Sequence, residues 1–242
     1  MTLDVYSFSN QGGRNHNEDA VGVKKTEHGG LFVLADGLGG HQLGERASKC
    51  VVDTLLGAQL PQEGETPEKW LETNIVQANQ KLLALQKECH AIMKSTVVAL
   101  MIDRNGAAFV NVGDSRLYYI RDDLIAGMTR DHSVAYKKYE AGEITRAQIG
   151  TDEDQSSLLR SLGKPDHFEP ESYVIDSPVQ EGDAFFLCSD GMWEYILDEE
   201  ILVDYLKADS ARTWAELLLL RVMERIPPKN DNLSLIAIVV GQ

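Results

Sequence analysis

Positive charge is in short supply in this sequence. Its 242 residues hold 23 Lys and Arg against 38 Asp and Glu, a formal net charge of −15 at pH 7. A surface of that sign repels phosphate backbones and anionic lipid, so no nucleic-acid or membrane partner is expected. Cysteine is scarce too. Cys50, Cys89 and Cys188 are odd in number, far apart and never in a Cys-x-x-Cys pair. That excludes a disulfide framework and suits reduced thiols in a cytoplasmic protein. No His or Cys stands at zinc spacing. No apolar run reaches transmembrane length, and the stretch 217–220 is a short one inside an amphipathic segment. The opening residues, Met-Thr-Leu-Asp-Val-Tyr-Ser, carry an early acid and no apolar stretch, so no secretion signal is expected. Low-complexity blocks, internal repeats and linker-like segments are also missing, which points to one domain over residues 1–242.

What remains is 43% hydrophobic, enough for a substantial core. Residues 3–8, 21–25 and 31–35 read as strands, and 44–60 as a helix with Ala47, Val51, Val52, Leu55 and Leu56 on one face. A second helix starts at Thr66, a good N-cap followed by Pro67, and its apolar positions carry it to about His90. Residues 95–103 and 107–112 flank Asn105-Gly106, the strongest hairpin signal present, and 117–121 continues as strand to a turn at Asp122-Asp123. The polar stretch 133–163 breaks the pattern and reads as a mobile insert over one end of the sheets. Strands at 173–175 and 184–188, helices at 198–207 and 210–225 with Asp198 and Ser210 as N-caps, and a last strand at 233–240 complete the chain. Strand runs separated by helix pairs spell an α+β fold with largely antiparallel sheets.

The acids lie in a pattern across this order. Asp36 follows the apolar run 31–35 and precedes Gly37, a strand handing a carboxylate to a tight turn. Asp114 follows a strand ending in Gly113, Asp190 follows 185–189 and precedes Gly191, and Asp231 sits between two asparagines before the last strand. Asp19 lies with Glu18 just before a strand, five residues after Arg14. Carboxylates that share a site need a cation among them, and oxygen-only donors suit Mg²⁺ or Mn²⁺. Arginine grips phosphate bidentately, so the set fits metal-assisted phosphate-ester hydrolysis. The same acids also suit turn caps, and Arg14 an ordinary surface charge; spacing by itself leaves both readings open.

These residues resemble those of the metal-dependent serine/threonine protein phosphatases of type 2C, the compact bacterial members especially. The likeness spans about residues 7–240, and its segments come in family order. They are Arg14-Asn-His-Asn-Glu-Asp-Ala20, Ala35-Asp-Gly-Leu-Gly-Gly-His41 with Gly44-Glu-Arg-Ala-Ser48, and Val112-Gly-Asp-Ser-Arg116. Thr129-Arg-Asp-His-Ser133, Leu159-Arg-Ser-Leu-Gly163, Cys188-Ser-Asp-Gly191 and Asn230-Asp-Asn232 follow.

The resemblance implies a β-sandwich of two antiparallel sheets flanked by helices on both sides, with a flap at about 133–163. It implies two Mn²⁺ or Mg²⁺ ions in a core site, bridged by Asp36, with the Gly37 carbonyl on one ion and Asp190 and Asp231 on the other. Asp19 would act through metal-bound water, Asp114 with Asp190 would hold a third, weaker ion, and Arg14 would hold the phosphate. A metal-bridging hydroxide would attack phosphorus in line, without a phospho-enzyme. The implied partners are phosphoserine and phosphothreonine proteins, among them a cognate serine/threonine kinase or its substrates, met by a monomer.

The chain also departs from the family. Leu38 stands where many eukaryotic members place a histidine as general acid, which leaves His41 as the nearest candidate. In Met93-Lys-Ser-Thr96, Lys94 replaces a usual glycine, and the flap carries Asp152-Glu153-Asp154 and an altered pattern at 156–159. Two further classes stay in view: a phosphatase-like binding module without activity, and a two-metal hydrolase of small phosphate esters.

Overall fold

The computed structural model describes residues 2–39, 43–62, 64–104 and 106–241. In chain order the strands are β1 (Thr2–Asn10), β2 (Asp19–Thr26), β3 (Gly29–Leu38), the two-residue β4 (Lys94–Ser95), β5 (Val97–Asp103) and β6 (Gly106–Val112). They continue as β7 (Arg116–Arg121), β8 (Leu124–Met128), β9 (Glu171–Ile175), β10 (Ala184–Cys188) and β11 (Leu233–Gly241). The helices are α1 (Leu43–Gly57), α2 (Pro67–Cys89), α3 (Val134–Glu140), α4 (Asp190–Trp193), α5 (Asp198–Lys207) and α6 (Ala211–Arg225), with a 3₁₀ turn at Arg146–Thr151.

One sheet has the order β1-β11-β10-β7-β8 and the other β2-β3-β5-β6-β9, with β4 added beside β3; neighbouring strands are antiparallel. The sheets stack face to face and helices cover both outer faces, the expected sandwich. The layering explains why β3 is apolar at every position from Leu31 to Ala35. Leu31, Val33 and Ala35 pack under α1 and α2, while Phe32 and Leu34 point the other way, into the layer shared with Phe185 and Ile236. A strand covered on both faces has no use for polar alternation. The same two-residue period splits β10: Phe185 and Leu187 face the other sheet, Phe186 and Cys188 face Trp214 and Leu218 of α6.

Helix α2 begins as its sequence dictates. The Thr66 hydroxyl accepts from the Lys69 N–H at 3.3 Å, Pro67 takes the first turn, and His90 ends the helix in the left-handed region. Trp70, Leu71, Ile75, Ala78 and Leu82 form its buried stripe. Ser210 caps α6 as expected. Asp198 does not cap α5: Leu197 holds that position, and Glu200 reaches back to the Leu197 N–H at 3.0 Å, leaving the Asp198 carboxylate to receive Tyr118 and Arg146.

Two local expectations change. Asp36 and Gly37 lie inside β3, which runs on to Leu38, rather than at a turn; Asp19 likewise opens β2 and pairs with Asp36. The strands at 95–103, 107–112 and 117–121, successive in sequence, do not all share one sheet either. β5 and β6 belong to one sheet and β7 and β8 to the other, so the chain crosses the sandwich at Gly113-Asp114-Ser115. Asn105, half of the expected hairpin pair, lies outside the described residues.

Candidate active site

Strand direction brings the acids together. β2 starts where β3 ends, β6 runs parallel to β3 through β5, and β10 ends where β11 begins. Asp19, Asp36, Asp114, Asp190 and Asp231 therefore gather at one end of the sandwich. The loop after β1, which carries Arg14, reaches the same end. His41, the candidate proton donor, lies outside the described residues.

Small and polar neighbours fix each carboxylate. The Asp36 N–H donates to the Thr96 hydroxyl at 2.9 Å, and its carbonyl accepts from the Thr96 N–H at 2.8 Å and the Ser95 hydroxyl at 3.0 Å. Thr96 in turn meets Ser115 at 2.7 Å, across the turn that holds Asp114. Gly37 is indispensable sterically: a Cβ there would sit 1.9 Å from the Gly44 carbonyl oxygen and 2.7 Å from that of Glu18. The Ser189 hydroxyl donates to Asp19 at 2.9 Å. Asp190, first residue of α4, accepts its neighbour Gly191 N–H at 2.7 Å. Asn232 ties two loops together, accepting the Glu18 N–H at 2.8 Å and donating to the Gln11 and His16 carbonyls, each at 2.9 Å. The buried Trp193 donates its indole N–H to the Asp114 carbonyl at 2.9 Å.

Electrostatics marks this end as unusual. Burial, then the Asp190 and Asp19 charges, holds the Asp36 carboxyl well above the ordinary carboxylate range. Asp114 is likewise raised by burial and then by Asp190. Burial pushes Asp19 up to about 7, with Asp190 and Asp231 adding to it, and pushes Asp190 up to about 6, with Asp231 next. Asp36 and Asp190 keep part of their surface open to a cleft, yet protein encloses them closely enough for desolvation to be the leading cause. Arg14 answers this field from the rim. Its side chain is 58% exposed, and it donates to Asp231 at 2.6 Å.

The cleft, about 490 Å³, is lined by Arg14, Glu18, Asp36, Gly37, Asp190 and Asp231 among others. Its donors are oxygens, and at Asp36 and Asp190 the charges of neighbouring acids add to burial in raising the carboxyl pKa, so the set fits a hard divalent ion. Among the described residues, no three Asp, Glu, His or Cys side chains already close into a cage. An open arrangement of this kind suits an ion that keeps several waters, as Mg²⁺ does. Asp114 stands deeper, 3% exposed, off the cleft's lining.

The sequence profile of the Protein phosphatase 2C family matches residues 9–218. The chain belongs to the protein phosphatase 2C family. Among its relatives is the serine/threonine phosphatase stp of Listeria innocua, 31% identical over 195 residues, 78% of this chain and 77% of that protein. In structure this type 2C phosphatase is similar to PstP/Ppp, a serine/threonine phosphatase of Mycobacterium tuberculosis, with a TM-score of 0.86 at 26% identity over the whole of both chains. It is also similar to the catalytic domain of PstP in complex with two manganese ions, with a TM-score of 0.82 at 26% identity over 99% of each chain. The protein is thus a serine/threonine phosphoprotein phosphatase of a metal-dependent family. No helix among the described residues is long and apolar enough to cross a membrane.

Sequence reasoning passed over the residues that hold this phosphatase's acids in place. Thr96, Ser115, Ser189, Asn232 and Trp193 give no signal of their own, because Ser, Thr and Asn beside an acid also read as turn formers. Gln155, from the polar insert, was missed too; it donates to Glu194 and to Asp190.

Proposed function

We propose that the phosphatase hydrolyses phosphoserine and phosphothreonine side chains of cytoplasmic proteins, a cognate kinase or its targets among them, at the cleft between Arg14 and Asp36. Asp36, the Gly37 carbonyl, Asp190 and Asp231 would hold two Mn²⁺ or Mg²⁺ ions, with Asp19 behind them and Asp114 with Asp190 holding a third, weaker one. Such ions, when bound, supply Lewis-acid charge and bring the pKa of coordinated water toward neutrality.

The chain's residues do the rest. Arg14 sits on the rim with more than half of its side chain exposed, and moving from Asp231 to the substrate lets its fork take two phosphate oxygens. That grip orients the ester for direct attack by water, with no covalent enzyme intermediate. Ser95, Thr96 and Asn232 keep the acids in position, so little reorganisation accompanies the reaction. Residues 133–163 form the flap, and Ser156 of that segment already lines the cleft.

The observation that carries this reading is the mutual field of Asp19, Asp36, Asp114 and Asp190, each raised by burial and by its neighbours' charge. The test is hydrolysis of p-nitrophenyl phosphate and of a phosphothreonine peptide with Mn²⁺. Activity should vanish with chelator and fall on the order of 10⁴-fold in Asp36→Asn, about 5 kcal/mol of barrier. A folded Asp36→Asn variant with the wild-type rate would overturn the assignment.

A further inference from the structure

Beside the catalytic cleft lies a second, smaller hollow of about 300 Å³. The two are continuous, since Leu38, Gly39 and Ser156 line both. The hollow adds Lys94, Lys164, Ile92 and Ser161 to its lining.

Three features set this hollow apart from ordinary surface. First, its lysines are half-buried, yet among the described residues neither ammonium group has a hydrogen bond or an ion pair. In a chain with 38 acids and 23 bases, two cations lining one hollow with no carboxylate partner among the described residues stand out. Second, Ser161 is 1% exposed, and its hydroxyl has no hydrogen-bond partner among the described residues. A buried hydroxyl normally finds one, and Ser161 is among the residues around the hollow.

Third, the walls are rigid. Lys94 pairs with Leu38 across the β3–β4 bridge, two residues from Asp36. Gln86 of α2 donates to the carbonyls of Met93 at 2.6 Å and Gly163 at 2.8 Å, the residues next to the two lysines. Asn79 of the same helix accepts the Gly163 N–H at 2.7 Å and donates to the Lys164 carbonyl at 2.8 Å. Ser95 and Leu162 exchange backbone hydrogen bonds at 3.2 and 2.8 Å, joining the walls directly. Gly163 has no room for a side chain, because a Cβ would lie 2.4 Å from the Met93 carbonyl oxygen.

We propose that this hollow is a specificity subsite, in which Lys94 and Lys164 bind the carboxylate of an aspartate or glutamate flanking the phosphoresidue of the substrate protein. The subsite rests on the proposed phosphatase cleft next door. Two cations and a preformed wall match a carboxylate, and Ile92 and Leu38, 76% and 38% exposed, give its aliphatic stem an apolar edge. The lysines also offset, locally, a field that would otherwise repel acidic substrates from a chain of charge −15.

The test uses the full chain with Mn²⁺ and a matched set of phosphothreonine peptides. Flanks are all alanine, or carry one Glu or one Lys walked through four positions on each side. Glu at one or two positions should raise kcat/KM roughly threefold to tenfold over alanine, and the gain should shrink with added salt. Lys at the same positions should lower it. Lys94→Gly and Lys164→Ala should each lose most of the preference, and Lys94→Glu should reverse it, all with p-nitrophenyl phosphate hydrolysis kept. A wild-type enzyme indifferent to flanking charge, or a Lys94→Glu variant that still prefers Glu, would overturn the subsite. Failure of the wild type to hydrolyse p-nitrophenyl phosphate at all would instead sink the cleft assignment.

Discussion

The chain sets its aspartates deep in two contrasting ways. Asp131, Asp183 and Asp204, each 1–3% exposed, are each gripped by an arginine. Arg116 meets both oxygens of Asp131 at 2.8 and 2.6 Å, Arg121 those of Asp183 at 2.7 and 2.5 Å, and Arg221 those of Asp204 at 2.5 and 2.8 Å. At the acidic end, Asp19 and Asp114 are buried and Asp36 and Asp190 are partly open to the cleft, and each has its pKa raised by burial and by the charge of a neighbouring acid. The paired set balances its desolvation within the fold; the cleft set leaves its balance to something bound. An aspartate's burial therefore says little about its role, and the sign of its nearest charge says much.

Three experiments break or sharpen that contrast. The largest effect should come from the paired set. Asp131→Asn leaves the buried Arg116 without its counter-charge, and denaturant unfolding should show a loss of about 3–5 kcal/mol. Asp36→Asn, unfolded the same way with chelator present, should show no loss, because it removes a charge from a repelling group. Equal destabilisation by the two would erase the distinction.

Next comes metal. Mn²⁺ at 100 times its Kd should stabilise the wild type by about 2.7 kcal/mol per site, a rise in Tm of about 5–10 °C. Asp131→Asn should keep this increment and Asp36→Asn should lose it. A wild-type melting curve unmoved by Mn²⁺ would place the cleft acids with the structural ones.

The smallest effect concerns His132, between the two regions. Its Nδ1 accepts the Gly113 N–H at 3.1 Å, its Nε2 lies 3.2 Å from Glu171 and 3.3 Å from Arg160, and Asp131 is its chain neighbour. Burial holds its pKa below the ordinary 6.5, with Arg160 acting in the same direction and Glu171 and Asp131 opposing. The unfolded chain thus takes up the proton first as pH falls. The site's stabilisation is complete above about 6.5 and is lost below it. The stability gap between wild type and His132→Gln should be wider at pH 7.5 than at pH 5.5. An equal gap at both would remove this role.

Much of this was legible beforehand, for identifiable reasons. β3 and β10 announced themselves as apolar runs because both of their faces are covered. Thr66-Pro67 marked the start of α2 because capping is local chemistry. Asp19, Asp36, Asp190 and Asp231 were legible as a group through their motifs. Asp36 was nevertheless expected at a turn, whereas Gly37 owes its identity to Gly44 and Glu18 pressing on it from other segments. Asp131 and Arg116 gave no sign of pairing, being 15 residues apart on either side of a hairpin.

The sequence by itself determined the elements, the family, the negative surface and the acids that converge, since each is written in local pattern or in residue type. Only the tertiary structure decided which aspartates face arginine and which face each other. It alone turned the 113–115 segment into a crossover between sheets and brought Lys94 and Lys164 to one hollow. Those outcomes depend on how the two sheets stack, and that packing follows from the whole core rather than from any stretch of it.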